Sequence, residues 1–393
     1  MRKNNVLALI LAGGASSRLF PFNKLLSDLT GSGKTLIQQA YARAGVLTVK
    51  KNIYVLAVQD LVQPIKRQLR LPQNQFFMDP VRRGTWPALM WAMAHLRHTN
   101  PHAVLAVLTG DHVIPRLPAF KRAALQACRW AEEKSAMVML GVSPGPKAAE
   151  WTGYGVFQVE GHTVTAFQEK PSLDQAERMR LEGGWSWNSG MFFFRMATAE
   201  EAMANYQPAM FAHYQALCAA VRARQMPKAR ALYADFPAKI PHPLDPSRTV
   251  DNTIDFAIMA PLVHVQSKLR ALAICNGLPL WTDLGQWESL QDILKHDKAK
   301  NICLGTVQAD RATNGCILAA DRGFHLKVTG IKDAAIALSA RGLLVLPRQE
   351  LARIKERVAA VPAQKFHVVN TLPHVQIQQH GRRVVVTGSA FIG

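Results

Sequence analysis

The sequence predicts an α/β protein: a Rossmann-like, doubly wound mixed sheet followed by a small C-terminal domain that is β-rich and β-helix-like. Three observations predict it. The first half alternates short apolar runs with stretches of helical periodicity, as expected of strands buried on both faces by crossover helices. The first apolar run, residues 6–11, passes directly into the glycine pair Gly13-Gly14, a strand-to-turn junction. Beyond about residue 300, short strands alternate with Gly, Asp and Asn turns.

Taken in order, residues 6–11 read as a strand, 35–46 as a helix, 52–58 as a strand and 61–69 as a helix. Residues 86–96 read as a helix, 103–108 as a strand, 119–134 as a long helix and 136–142 as a strand. The pattern then turns β-rich, with strands at 154–159, 163–168 and 191–194, before a helical stretch over 198–233. Residues 237–246 are rich in proline and read as a loop, and 288–296 as a helix. Strands at 302–308, 315–319 and 334–338 and a short helix at 349–359 complete the tail. The expected domains are 1–297 and 298–393. Doubly wound sheets bind ligands beyond the carboxyl ends of their strands, which directs attention to the loops after Leu11 and Leu108.

Composition sets bounds. Hydrophobic residues make up 49% and charged residues 19%, ordinary for a globular enzyme. Five cysteines without a CxxC pair fit neither a zinc site nor a disulfide framework and suit a reducing compartment. Met1-Arg2-Lys3 ahead of an apolar run resembles a signal peptide, but cleavage there would remove a good buried strand. No other stretch has the apolar length of a membrane span, so a cytoplasmic protein without a membrane partner is expected. The formal net charge of +20 invites a nucleic-acid reading. Its lysines and arginines are dispersed without a basic run, however, and a basic surface with anionic ligands in one cleft fits better.

The chemistry lies in loops. Gly13 and Gly14 let backbone N–H groups approach phosphate oxygens, and Arg18 and Lys24 can add positive charge. A plain tight turn would look the same. Residues 31–35, Gly-Ser-Gly-Lys-Thr, imitate the end of a P-loop, but the glycine required five residues before Gly33 is Asp28. Gly110-Asp111-His112 ends an apolar strand, where a carboxylate could hold Mg²⁺ against a triphosphate, and Asp283 is a second candidate. Gly155, the Glu169-Lys170-Pro171 strand end and Asn188 beside Trp187 offer the donors, acceptors and cation that a sugar phosphate needs.

The order of these motifs resembles that of the sugar-1-phosphate nucleotidyltransferase family. Leu11-Ala12-Gly13-Gly14 with Arg18, Gly110-Asp111-His112, Thr152-Gly153-Tyr154-Gly155, Glu169-Lys170-Pro171, Trp187-Asn188-Ser189-Gly190 and Trp281-Thr282-Asp283-Leu284-Gly285 carry the likeness. Residues 79–88 resemble the base-binding segment of mannose-1-phosphate guanylyltransferases, and residues 253–259 another block of that group. By that resemblance Gly13, Gly14, Gly110 and Arg18 would hold the triphosphate, and Lys24 the departing pyrophosphate. Asp111 and Asp283 would bind Mg²⁺, with Asp111 grouped with Arg18 and Lys24 as the catalytic set. Arg83, Gly84, Thr85 and Pro87 would frame the base. Gly155, Glu169 and Asn188 would bind the sugar and Lys170 its phosphate. The implied reaction is in-line attack by a sugar 1-phosphate oxygen on the α-phosphorus of GTP or another NTP. That oxygen is already anionic and needs no general base, so His112 is expected to orient its loop.

Three features depart from the guanylyltransferase pattern. Ser16 replaces a loop glycine, the stretch from Pro21 to Lys24 is short with Asn23 for proline, and Gly84-Thr85-Trp86-Pro87-Ala88 replaces Asn-Thr-Ala-Pro-Ala. The last removes an amide and adds bulk near the base, which bears on guanine preference. Another base or sugar, or a non-catalytic relative that binds sugar nucleotide, are the alternatives. The small β domain could support a homodimer or cover the cleft.

Overall fold

Residues 6–12 are apolar throughout, and in the computed structural model they form β1 (Val6–Ala12), almost wholly buried. The structure describes residues 5–13, 17–265, 268–275, 277–278, 280–359 and 366–388. The chain packs as two compact units: residues 1–13, 40–109 and 114–281 form the first, and 14–39, 110–113 and 282–393 the second. The expected division at 297/298 follows the chain, whereas these units are discontinuous in it.

A nine-stranded sheet organises the first unit. Its strands are β1, β2 (Ile53–Ala57), β3 (Phe76–Met78), β4 (Val104–Thr109), β5 (Met137–Val142), β6 (Gly155–Glu160), β7 (Thr163–Glu169), β8 (Trp185–Arg195) and, after the hairpin β9 (Lys239–His242) and β10 (Asp245–Asp251), β11 (Ala271–Ile274). The order is β3-β2-β1-β4-β8-β5-β11-β7-β6. β1 pairs in parallel with both β2 and β4, and β2 with β3. The chain therefore winds outward from β1 to β3, then returns to the other side of β1, making a switch point between β1 and β4. β8 runs antiparallel to β4 and β5, so the sheet is mixed. Its apolar end lies between those two strands, while Trp185 to Trp187 also pair with β6.

Helices α1 (Leu36–Gly45), α2 (Gln59–Leu69), α3 (Thr85–Leu96) and α4 (Leu117–Glu133) follow the expected positions to within two residues. β3 and β11 are strands that sequence periodicity left out, because three or four residues are too few to show a period. Residues 237–246, expected as a loop, contain β9 and the start of β10. Proline is tolerated in such a two-stranded edge because it gives up one ladder donor at most.

In the second unit, β12 (Ile302–Leu304), β14 (Ile317–Ala320) and β16 (Ala334–Ser339) stack in parallel, as do β13 (Val307–Ala309), β15 (His325–Thr329) and, after β17 (Gly342–Pro347), β18 (His367–Asn370) and β19 (Val375–His380), β20 (Arg383–Gly388). Two parallel stacks fed alternately by the chain give the expected β-helix-like character. The strand expected over 302–308 is two strands, broken at Gly305, whose φ of 77° turns the chain from one stack to the other. The helix expected over 288–296 is a 3₁₀ segment, Trp287–Asp292. Trp287 is buried against Phe22, ring edge to face at 5.4 Å, and its indole N–H donates to the Phe20 carbonyl at 3.2 Å. That anchor ties residues 19–22 into the core of this unit with Ile302, Ile317 and Leu344.

Candidate active site

The switch point sets the first group of residues. Leu11 of β1 lies opposite Thr109 of β4, so the chain leaves both strands at the same edge of the sheet. Gly13 follows β1 and is exposed, and Gly110 and Asp111 follow β4. Gly14 and Ser16 lie outside the described residues.

Within the second unit, Lys24 Nζ donates to Asp111 Oδ2 at 2.7 Å, and His112 Nε2 stands 3.6 Å from Asp111 Oδ1. Burial works to raise the Asp111 pKa, but His112 and the bonded Lys24 ammonium outweigh it and hold the carboxyl below its usual range. His112 thus sits beside Asp111 as expected. Asn23, in place of the usual proline, accepts from the N–H groups of Leu25 and Leu26 at 3.1 and 3.3 Å. This Asx turn fixes the backbone around Lys24, the task a proline ring performs by limiting φ.

Asp283 reaches the same neighbourhood through the backbone. Val113 and Thr282 form an antiparallel bridge, with N–H to O distances of 2.9 and 3.2 Å. Asp111 precedes that bridge on one strand and Asp283 follows it on the other. Asp283 Oδ1 also accepts from Gly285 N–H at 3.1 Å. Among the described residues no group of three or more His, Cys, Asp or Glu side chains gathers as a metal site. A pair of carboxylates suits Mg²⁺, which keeps waters and takes further oxygens from phosphate. Arg18 is exposed in the 3₁₀ turn Ser17–Leu19.

The P-loop imitation is closed from within. Asp28 accepts from the N–H groups of Thr30, Ser32 and Gly33 at 3.1, 3.2 and 2.6 Å. The residue whose identity breaks the motif fills the amide nest where a phosphate would sit.

In the first unit the segment expected to frame a base leads into α3. Gly84 has a φ of 109°, and a Cβ there would overlap the Asn252 carbonyl oxygen and lie 2.9 Å from its carbon. A side chain has no room, which accounts physically for the missing asparagine. Trp86 N–H donates to the same carbonyl at 3.2 Å, and Thr85 Oγ1 accepts from Ile254 N–H at 3.4 Å. Trp86 itself is fully buried in the core, so the bulk expected near the base points inward. Pro87 is buried in the first turn of α3, where a missing N–H costs nothing. Arg83 Nε is buried without a hydrogen-bond partner among the described residues.

The sugar-side residues are also in this unit. Gly155 and Glu169 are partners across β6 and β7. A Cβ on Gly155 would overlap Glu169 Oε2 and lie 3.5 Å from Asn188 Cβ, so the three residues pack closely together. Lys170 has a left-handed φ of 46° and its Nζ lies 3.4 Å from Glu169 Oε1. Asn188 Nδ2 donates to Asp255 Oδ1 at 2.8 Å, while its Oδ1 accepts from Gly190 N–H at 3.0 Å. Tyr154, Trp187 and Trp281 cluster beside them, with ring centroids 4.7 to 6.5 Å apart.

Asp255 is the residue that sequence reasoning did not select. It lay in a recognised block, residues 253–259, but a lone acid at a helix start reads as a cap. Its partner Asn188 is 67 positions away. Burial and the nearby Glu169 push the Asp255 carboxyl up to about 7, and burial raises Glu169 as well.

The profile of the nucleotidyl transferase family matches residues 7–300. A mannose-1-phosphate guanylyltransferase from Klebsiella pneumoniae is 28% identical over 370 residues, 90% of this chain and 73% of its own length. One from Escherichia coli K12 is 26% identical over 387 residues, 93% of this chain and 76% of its own. A crystal structure described as mannose-1-phosphate geranyltransferase from Thermus thermophilus superposes with a TM-score of 0.72 at 25% identity, covering 90% of this chain and 98% of that one.

Proposed function

Because the chain belongs to the nucleotidyl transferase family, we propose that this enzyme transfers GMP from GTP to mannose 1-phosphate, releasing pyrophosphate and GDP-mannose. The observation that carries this reading is the group Gly155–Glu169–Lys170–Asn188: acceptors and an amide for hydroxyls, with a cation alongside for a phosphate. The names of its relatives supply mannose and guanine.

Each residue then has a task. Lys170 holds the sugar phosphate with one oxygen facing the α-phosphorus, and Glu169 and Asn188 fix the sugar hydroxyls so that this oxygen is aligned. Arg18 and Gly110, both in the second unit, bind the triphosphate. Lys24 passes from Asp111 to the leaving pyrophosphate as charge develops there. Asp111 and Asp283 would hold Mg²⁺, which would supply charge neutralisation for the phosphates. No proton need move, since the attacking phosphate is anionic. Five free cysteines support a reducing compartment, the cytoplasm. Among the described residues no helix is long and apolar enough to cross a membrane.

A second reading, relaxed base preference, is favoured by Gly84, which leaves no amide in the segment that frames the base. One experiment addresses both. Purified protein with Mg²⁺ is incubated with each of four triphosphates against a panel of sugar 1-phosphates, and pyrophosphate is measured. Release with GTP and mannose 1-phosphate above every other pair supports the first reading, and comparable release with ATP the second. No release with any pair rules out both and leaves a binding protein.

A further inference from the structure

Asp255 stands where two parts of the first unit meet. On one side it accepts from Asn188 Nδ2 at 2.8 Å, and Asn188 in turn packs beside Gly155 and Glu169. On the other side, two of the three residues before it are tied to the segment expected to frame the base. The Asn252 carbonyl accepts from Trp86 N–H and packs on Gly84, and Ile254 N–H donates to Thr85 Oγ1. A single π-turn, Asp255–Met259, begins at this junction, held by Gln207 Nε2 donating to the Ala257 carbonyl at 3.1 Å. Such turns recur at functional sites because the extra residue re-aims a side chain.

We infer that Asp255 is a sugar-recognition residue, which with Glu169 forms a carboxyl–carboxylate pair that both donates to and accepts from neighbouring hydroxyls of the sugar 1-phosphate. The chemistry follows from crowding. Asp255 is held on the Asn188 amide, with Glu169 packed beside Asn188. Two buried carboxylates so placed cannot both ionise cheaply, so they share a proton near neutral pH. One member then donates and the other accepts, the complement of a vicinal diol. The charged groups acting on Asp255 are Glu169, which favours its protonated form, and Lys170, which opposes it. Asn188, occupied by Asp255 and Gly190, holds Asp255 in place as well as reaching the ligand.

This inference rests on the nucleotidyltransferase reading, and its test separates the two. The Asp255→Asn variant keeps an acceptor for Asn188 but loses the titrating proton. Its KM for mannose 1-phosphate should rise on the order of tenfold to a hundredfold, with the KM for GTP unchanged. In the unaltered enzyme the mannose 1-phosphate KM should climb as pH rises through about 7, where the pair loses its shared proton. That climb should be absent from the variant, while the ligand's own phosphate ionisation remains common to both proteins. Circular dichroism and thermal denaturation check that the variant folds; if it does not, Asp255→Glu, which keeps the carboxyl and moves it, should raise the same KM. Should the unaltered enzyme release no pyrophosphate with any pair, calorimetric titration with mannose 1-phosphate carries the test. A folded variant matching the original in KM, pH profile and binding would overturn the role of Asp255 while leaving the function intact. An original protein that neither turns over nor binds mannose 1-phosphate would overturn both.

Discussion

Asp111 and Lys24 illustrate how a single contact constrains a mechanism. Lys24 Nζ bonds Asp111 Oδ2 at 2.7 Å, so under the proposed reaction a side chain that engages substrate gives up that bond. Replacing Asp111 with Ala should lower kcat by about 10² or more with the fold intact, as measured by pyrophosphate release and circular dichroism. Gly155→Ala tests the other group: its Cβ would displace the Glu169 carboxylate, raising the mannose 1-phosphate KM while sparing that for GTP. The carboxyl of Asp255 also couples function to stability. Its pKa is raised on folding, so the folded chain binds a proton that the unfolded chain has lost between about pH 4 and 7. Stability should therefore fall as pH rises through that window, and Asp255→Asn should melt a few degrees higher than the original at pH 8, with the gain vanishing below about pH 4. Asp111 and Lys170 stood out in the sequence because each sits in a short motif at a strand end, and Asn188 because an amide stands beside Trp187. Asp255 was not, because its meaning depends on a partner that only folding brings near.

At the scale of elements, the alternation of apolar runs and helical periods gave away β1, β2, β4 and β5 and the helices between them. It was silent on β8 as an eleven-residue strand, because Trp185 to Ser189 mix polar and aromatic residues and the strand shares β5 along its length while pairing with β6 at one end and β4 at the other. The proline-rich hairpin was missed for a related reason: composition was weighed, and pairing cannot be read from one strand. The start of α3 carries the departure most open to test. Restoring the guanylyltransferase asparagine, Gly84→Asn, would force a Cβ into the Asn252 carbonyl at a φ that favours glycine. The variant should lose about 2–4 kcal/mol by denaturant titration.

For the whole molecule, one feature was beyond local reading. The units are assembled from separated segments, so residues 14–39 and 110–113 group with the C-terminal β-stacks. No periodicity reports such an arrangement; the anchor is Trp287, whose contacts lie far away in sequence. The net charge of +20 is legible but has no single structural cause, since no fold feature requires it. It does predict behaviour. Both substrates are anions, and a basic protein gathers them at low salt. Raising ionic strength from about 0.01 to 0.15 M shortens the Debye length from about 30 to 8 Å and should raise both KM values with little change in kcat. The central claim is the transfer itself. Phosphorus NMR of the protein with GTP, mannose 1-phosphate and Mg²⁺ tests it most directly. The mannose 1-phosphate signal should give way to that of a nucleoside diphosphate sugar, together with free pyrophosphate. Unchanged sugar phosphate, or GTP cleaved only to GDP and inorganic phosphate, would contradict it.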